Sequence, residues 1–134
     1  MSVDVSEIMI SEAEIKEMVK RVASQINEDF GDEELIVVGV LTGSYIFTAD
    51  LTRRLTMPVV VDFMQVSSYV GSTSMGKLNV KKDLSVNIEG KNVLIVEDII
   101  DTGITMKYLK EYLESFNPKT VKIVSLLSKP ERRI

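Results

Sequence analysis

The chain has no cysteine and no histidine among its 134 residues. The first absence excludes a disulfide framework, a thiolate metal centre and a cysteine nucleophile. The second removes the imidazole ligand and base, so carboxylate oxygen is left as the main side-chain metal ligand and Mg²⁺ as the natural ion. No apolar stretch approaches the roughly eighteen residues of a membrane span. The opening Met1-Ser2-Val3-Asp4 lacks a charged-then-apolar export pattern, so a cytoplasmic protein without membrane contact is expected. Cationic surplus is also missing: 16 basic residues face 20 acidic ones, for a net charge of −4. A nucleic-acid stripe or polybasic patch is therefore not expected, and any anion site must be local. What is present suffices for one core. The content is 45% hydrophobic with 6% aromatic, ordinary for an α/β protein folding as a single domain over residues 1–134.

Hydrophobic periodicity divides the chain into alternating elements. Ser11-Glu12-Ala13-Glu14 has the form of a capping box, and Ile15, Val19, Val22 and Ile26 follow at helical spacing, predicting a helix from Ser11 to Phe30. Leu35 to Leu41 is a β-branched strand ending in Thr42-Gly43-Ser44, and Tyr45 to Leu55 reads as a helix stopping before Met57-Pro58. Val59 to Val66 is the next strand. Ser67 to Gly76 collects Ser, Gly and Thr as a long mobile loop, and Leu78 to Lys82 alternates like an exposed hairpin arm. Gly90 turns the chain into a further strand, Thr105 to Phe116 is helical up to Asn117-Pro118, and Val121 to Leu127 is a last buried strand. Strands alternating with helices predict a doubly wound, mainly parallel sheet flanked by helices.

The most informative segment is Val93-Leu94-Ile95-Val96-Glu97-Asp98-Ile99-Ile100-Asp101-Thr102-Gly103-Ile104-Thr105. Four apolar residues make a strand buried on both faces, two carboxylates stand at its carboxyl end, and a small-residue turn opens a helix. Ligands of open α/β sheets bind at such strand ends, where a helix N-terminus offers unpaired N–H groups to a phosphate. An ordinary N-capped helix would account for Asp101 and Thr102 alone. It leaves unexplained why Glu97 and Asp98 are adjacent, where like charges repel and burial is costly. Backbone N–H groups of Thr102, Gly103, Ile104 and Thr105, with both threonine hydroxyls, can surround one tetrahedral dianion.

This run resembles the phosphoribosyl pyrophosphate (PRPP) signature of the type I phosphoribosyltransferases, and its wording is nearest the hypoxanthine-guanine branch. The resemblance implies that the 102–105 turn holds the 5′-phosphate. Glu97 and Asp98 would then accept from the ribose hydroxyls and favour Mg²⁺. It also implies that Asp101 faces N7 of the purine as general base or proton relay. Thr42 and Gly43 match the loop that cradles pyrophosphate, although the family usually carries a lysine or arginine where this chain has Thr42. Ser68 and Tyr69 match a Ser-Tyr pair that closes over pyrophosphate and keeps water from the reacting sugar. Lys129 matches a lysine that donates to the 6-oxygen of the base, selecting 6-oxopurines over adenine. Arg133 matches an arginine at the pyrophosphate end.

The expected activity is thus transfer of the phosphoribosyl group from PRPP to hypoxanthine or guanine, in a homo-oligomer, dimer or tetramer. A xanthine-preferring relative, a non-catalytic PRPP-binding regulator and a truncated fragment that folds but neither binds base nor turns over are the alternatives; the acidic balance gives no support for the nucleic-acid surface a regulator needs. The family pattern continues past Ile134 with a strand, a base-stacking aromatic residue and an aspartate for a second Mg²⁺. From this the expectation is that residues up to Ile134 bind PRPP but hold the base weakly unless another chain contributes.

Overall fold

The computed structural model describes residues 11–41, 43–68, 78–100 and 103–128. The expectations for Thr42, Tyr69, Asp101, Thr102, Lys129 and Arg133, and for the loop beyond Ser68, lie outside the described residues.

The first helix, α1, spans Glu12–Phe30 and opens with the expected capping box: Glu14 N–H donates to Ser11 Oγ and Ser11 N–H to Glu14 Oε1, both at 3.1 Å. Its apolar stripe buries Val19, Ala23, Ile26 and Phe30. It stops at Gly31, whose φ of +60° suits a residue without Cβ. Strand β1, Leu35–Val40, is buried at every position. Helix α2, Tyr45–Thr52, is shorter than expected from the sequence. Its last turn tightens, with Arg54 N–H donating to Leu51 O and Leu55 N–H to Thr52 O, three residues back instead of four.

Strand β2, Val59–Ser68, is longer than expected because Ser67 and Ser68 pair with Asn79 and Leu78 of β3, Leu78–Lys82. The polar pair anticipated at the start of a loop therefore ends a ladder. Strand β4, Asn92–Ile100, is followed by helix α3, Ile104–Glu114, and strand β5, Thr120–Ser128. Asn117, at φ +60°, makes the turn between the last two.

The five strands lie in the order β3-β2-β1-β4-β5, with β3 antiparallel and the others parallel, so the doubly wound expectation holds. Alternation along the strands sends residues to two cores. Leu35, Val37, Leu94 and Val96 pack under α1 and α2, while Ile36, Val38, Val93 and Ile95 pack with Met106, Leu109 and Leu113 of α3. From β1 the chain crosses to β2 on one side, while β4 flanks the other. The crevice at the carboxyl ends of β1 and β4 is accordingly the switch point where such sheets bind ligands.

Candidate functional site

At that switch point β1 ends before β4 does. Their pairing stops at Gly39 with Val96, yet β4 continues along β5 through Glu97 with Ser125 to Ile100 with Ser128. Glu97 and Asp98 therefore belong to the strand itself, at the stretch where its β1-side edge is open. Sequence reading placed them at the strand's end, because hydropathy does not show that a polar pair can extend a ladder.

Asp98 follows Leu94 and Val96 on the α1/α2 face and reaches the turn after β1. A Cβ built on Gly43 would lie 2.8 Å from Asp98 Oδ1 and 3.0 Å from Oδ2, so the carboxylate sits against bare backbone. Two buried hydroxyls stand behind that turn. Ser44 is fully buried and donates from Oγ to Val40 O at 2.6 Å, while Thr48 Oγ1 lies 3.5 Å from Ser44 Oγ, one helical turn on. Sequence reading overlooked both. The signal was a hydroxyl pair at i and i+4 in an otherwise apolar helix start. Gly39 belongs to the same support: a Cβ there would lie 2.7 Å from both the Phe63 ring and Thr48 Oγ1.

Burial pushes the Glu97 carboxyl up to about 8, and the adjacent Asp98 carboxylate adds to the rise by hydrogen bonding and like charge; the Asp98 N–H, donating at 3.0 Å, opposes it. Hydroxyl donors or a hard divalent cation are what such a pair accommodates. Among the described residues no cluster of three or more acids could hold a metal by itself. Two carboxylates fit Mg²⁺, which is commonly bound through one or two acids together with substrate oxygens.

Across the crevice, α3 starts from Gly103, whose φ of +88° is left-handed. The cap falls on this glycine, and no side-chain hydrogen bond caps the helix from it. Its first-turn N–H groups face the position where a phosphate is favoured. Thr105 Oγ1 donates to Ser68 Oγ at 3.2 Å in a partly buried contact. Gly43, Ser68, Glu97, Asp98, Gly103, Ile104 and Thr105 thus share one edge of the sheet, drawn from the ends of β1, β2 and β4 and the start of α3. No described helix is long and apolar enough to cross a membrane.

A mainly parallel α/β sheet with paired acids and a helix N-terminus at its switch point is the arrangement in which such folds bind phosphorylated, hydroxyl-bearing ligands. The family model for the phosphoribosyl transferase domain matches residues 6–134. The chain is 44% identical over 131 residues to the hypoxanthine-guanine phosphoribosyltransferase of Staphylococcus epidermidis, covering 97% of this chain and 73% of that protein. Among solved structures, the hypoxanthine-guanine phosphoribosyltransferase of Bacillus anthracis is similar with a TM-score of 0.84 at 47% identity, covering 93% of this chain and 73% of that one. The hypoxanthine phosphoribosyltransferase of Staphylococcus aureus gives 0.88 at 40%, covering 100% and 76%. The chain belongs to the phosphoribosyltransferase family. Both the family and the branch expected from the signature are borne out.

Proposed function

We propose that the chain transfers the 5-phosphoribosyl group of PRPP to hypoxanthine or guanine, giving IMP or GMP and pyrophosphate, with Mg²⁺ and in the cytoplasm. The observation that carries this reading is the meeting of Asp98 with Gly43 opposite the α3 N-terminus. A carboxylate on the open edge of β4, a bare backbone turn and a phosphate-favouring helix end are the three contacts that a ribose with phosphates at both ends requires. Identity above 40% to relatives named for hypoxanthine and guanine supports the choice of base.

The roles follow from the chemistry. Gly103, Ile104 and Thr105, with Thr102, hold the 5′-phosphate. Glu97 and Asp98 accept from the ribose hydroxyls and would hold Mg²⁺, which when bound neutralises charge on the pyrophosphate. Gly43 and Thr42 let backbone N–H groups approach pyrophosphate, with Ser68, Tyr69 and Arg133 completing that end. The C1′–oxygen bond breaks as N9 of the base attacks, through a transition state with cationic ribose character. Positioning and exclusion of water therefore carry the rate. Asp101 takes or relays the proton of the base, and Lys129 donates to its 6-oxygen.

One sheet with a core on each face supports reading residues 1–134 as one domain. The exposed Tyr45, Ile46 and Val61 support a homo-oligomer, dimer or tetramer. The test is pyrophosphate release from PRPP and Mg²⁺ with hypoxanthine, guanine, xanthine or adenine. Release with the first two and not with adenine is expected; adenine preference would contradict the role of Lys129, and PRPP binding without turnover on any base would contradict an enzyme.

A further inference from the structure

The hydrogen bond between Thr105 and Ser68 joins residues assigned to opposite ends of one substrate. Thr105 is in the first turn of α3, on the 5′-phosphate side; Ser68 ends β2, on the pyrophosphate side. Pairing of β2 with β1 stops at Met64. From Gln65 to Ser68, β2 is laddered to β3, across a register shift between Gln65 and Val66. The end of β2 is therefore bonded along one edge, and the Thr105 hydroxyl ties it back to α3.

A threonine hydroxyl has a single proton to donate. In the free chain that proton goes to Ser68 Oγ over 3.2 Å, long for an O–H···O contact. A phosphate dianion at the same helix end is the better acceptor, since charged acceptors form hydrogen bonds roughly twice as strong as neutral ones. The two acceptors compete, and the phosphate wins. We propose that the Thr105–Ser68 hydrogen bond is a latch: the 5′-phosphate withdraws the Thr105 proton and frees the Ser68 side chain to turn to the pyrophosphate. Ser68 thereby becomes a positioning residue whose availability reports that the far end of the substrate is seated. This inference rests on the proposed assignment of the two phosphate ends.

The latch makes two separate ligands cooperative, which a merely structural contact does not. Ribose 5-phosphate and pyrophosphate are titrated by calorimetry at fixed Mg²⁺, each alone and each with the other saturating. Because repulsion between the two anions acts in every variant, the readout is the coupling ratio of wild type against Ser68→Ala. The wild type should couple more favourably by about five-fold or more, the low end of couplings between sites. Thr105→Ser, which keeps the hydroxyl, should couple like wild type, and Ser68→Ala should bind ribose 5-phosphate alone at least as tightly as wild type. Equal coupling in wild type and Ser68→Ala overturns the latch. So does weaker ribose 5-phosphate binding in Ser68→Ala, since Ser68 would then be supporting Thr105. Failure of the wild type to bind ribose 5-phosphate at all is a different result, and overturns the site assignment beneath the inference.

Discussion

The carboxylate of Asp98 lies against the backbone of Gly43, with room for a hydrogen but none for a methyl group: a Cβ on Gly43 would be 2.8 Å from Oδ1. Gly43→Ala should therefore displace the end of a flexible side chain. The fold loses little, but the carboxylate proposed to meet the ribose is moved. Misplacement of this size is expected to lower kcat/KM by roughly 10²-fold. Gly39→Ala is the contrasting variant, because its Cβ would meet the Phe63 ring and the buried Thr48. Overpacking there should destabilise by about 1–3 kcal/mol. Urea midpoints and steady-state kinetics on both variants check the pair; a large stability loss in Gly43→Ala would contradict the distinction.

Asp62 gives the chain a pH-dependent brace. It is buried, accepts from Ser85 N–H at 2.7 Å and Phe63 N–H at 2.8 Å, and has Lys82 Nζ at 3.6 Å. Burial pushes its carboxyl up, but the Ser85 and Phe63 N–H groups and the Lys82 ammonium outweigh that and hold it below its ordinary 3.8. A depressed acid contributes stability above its unfolded value and loses it as pH falls through the folded one. Asp62→Asn should therefore destabilise by about 1–3 kcal/mol near pH 6, the usual penalty for leaving a buried donor without its acceptor. The gap to wild type should narrow below pH 3.8. Urea titrations at pH 6 and pH 3 check this, and a gap that widens in acid would contradict it.

Asp101→Asn separates chemistry from binding. A general base acts in the transition state and typically contributes 10²–10⁴-fold, so turnover should fall by that order while PRPP affinity stays near wild type. Equal losses in both would assign Asp101 to binding alone. Single-turnover rates beside equilibrium titration make the comparison.

Most of the fold was legible because it rests on local signals: the Ser11 capping box, the buried run of β1 and the Asn117-Pro118 stop each act within one or two turns of chain. The Val93–Thr105 signature was legible for the same reason. Contacts made across the sheet were not. That Ser67 and Ser68 are strand residues depends on Asn79 and Leu78 opposite them, and the extension of β4 through Glu97 depends on Ser125. Ser44 and Thr48 likewise become meaningful only once the turn after β1 is seen to stand on them. Pairing partners far apart in sequence leave no periodic trace.

The most direct test of the central claim, that the β1–β4 switch point and the α3 N-terminus form one PRPP site, is the stability of the chain with and without Mg²⁺ and PRPP. A ligand bound by the native state alone stabilises it by about 2.7 kcal/mol at a hundredfold excess over Kd. The account predicts a shift of that order in wild type. It should be strongly reduced in Asp98→Asn and Thr105→Val, and intact in Thr120→Val, whose hydroxyl bonds Asn92 at the opposite end of the sheet. Absence of a shift in wild type, or an undiminished one in Asp98→Asn and Thr105→Val, would contradict it.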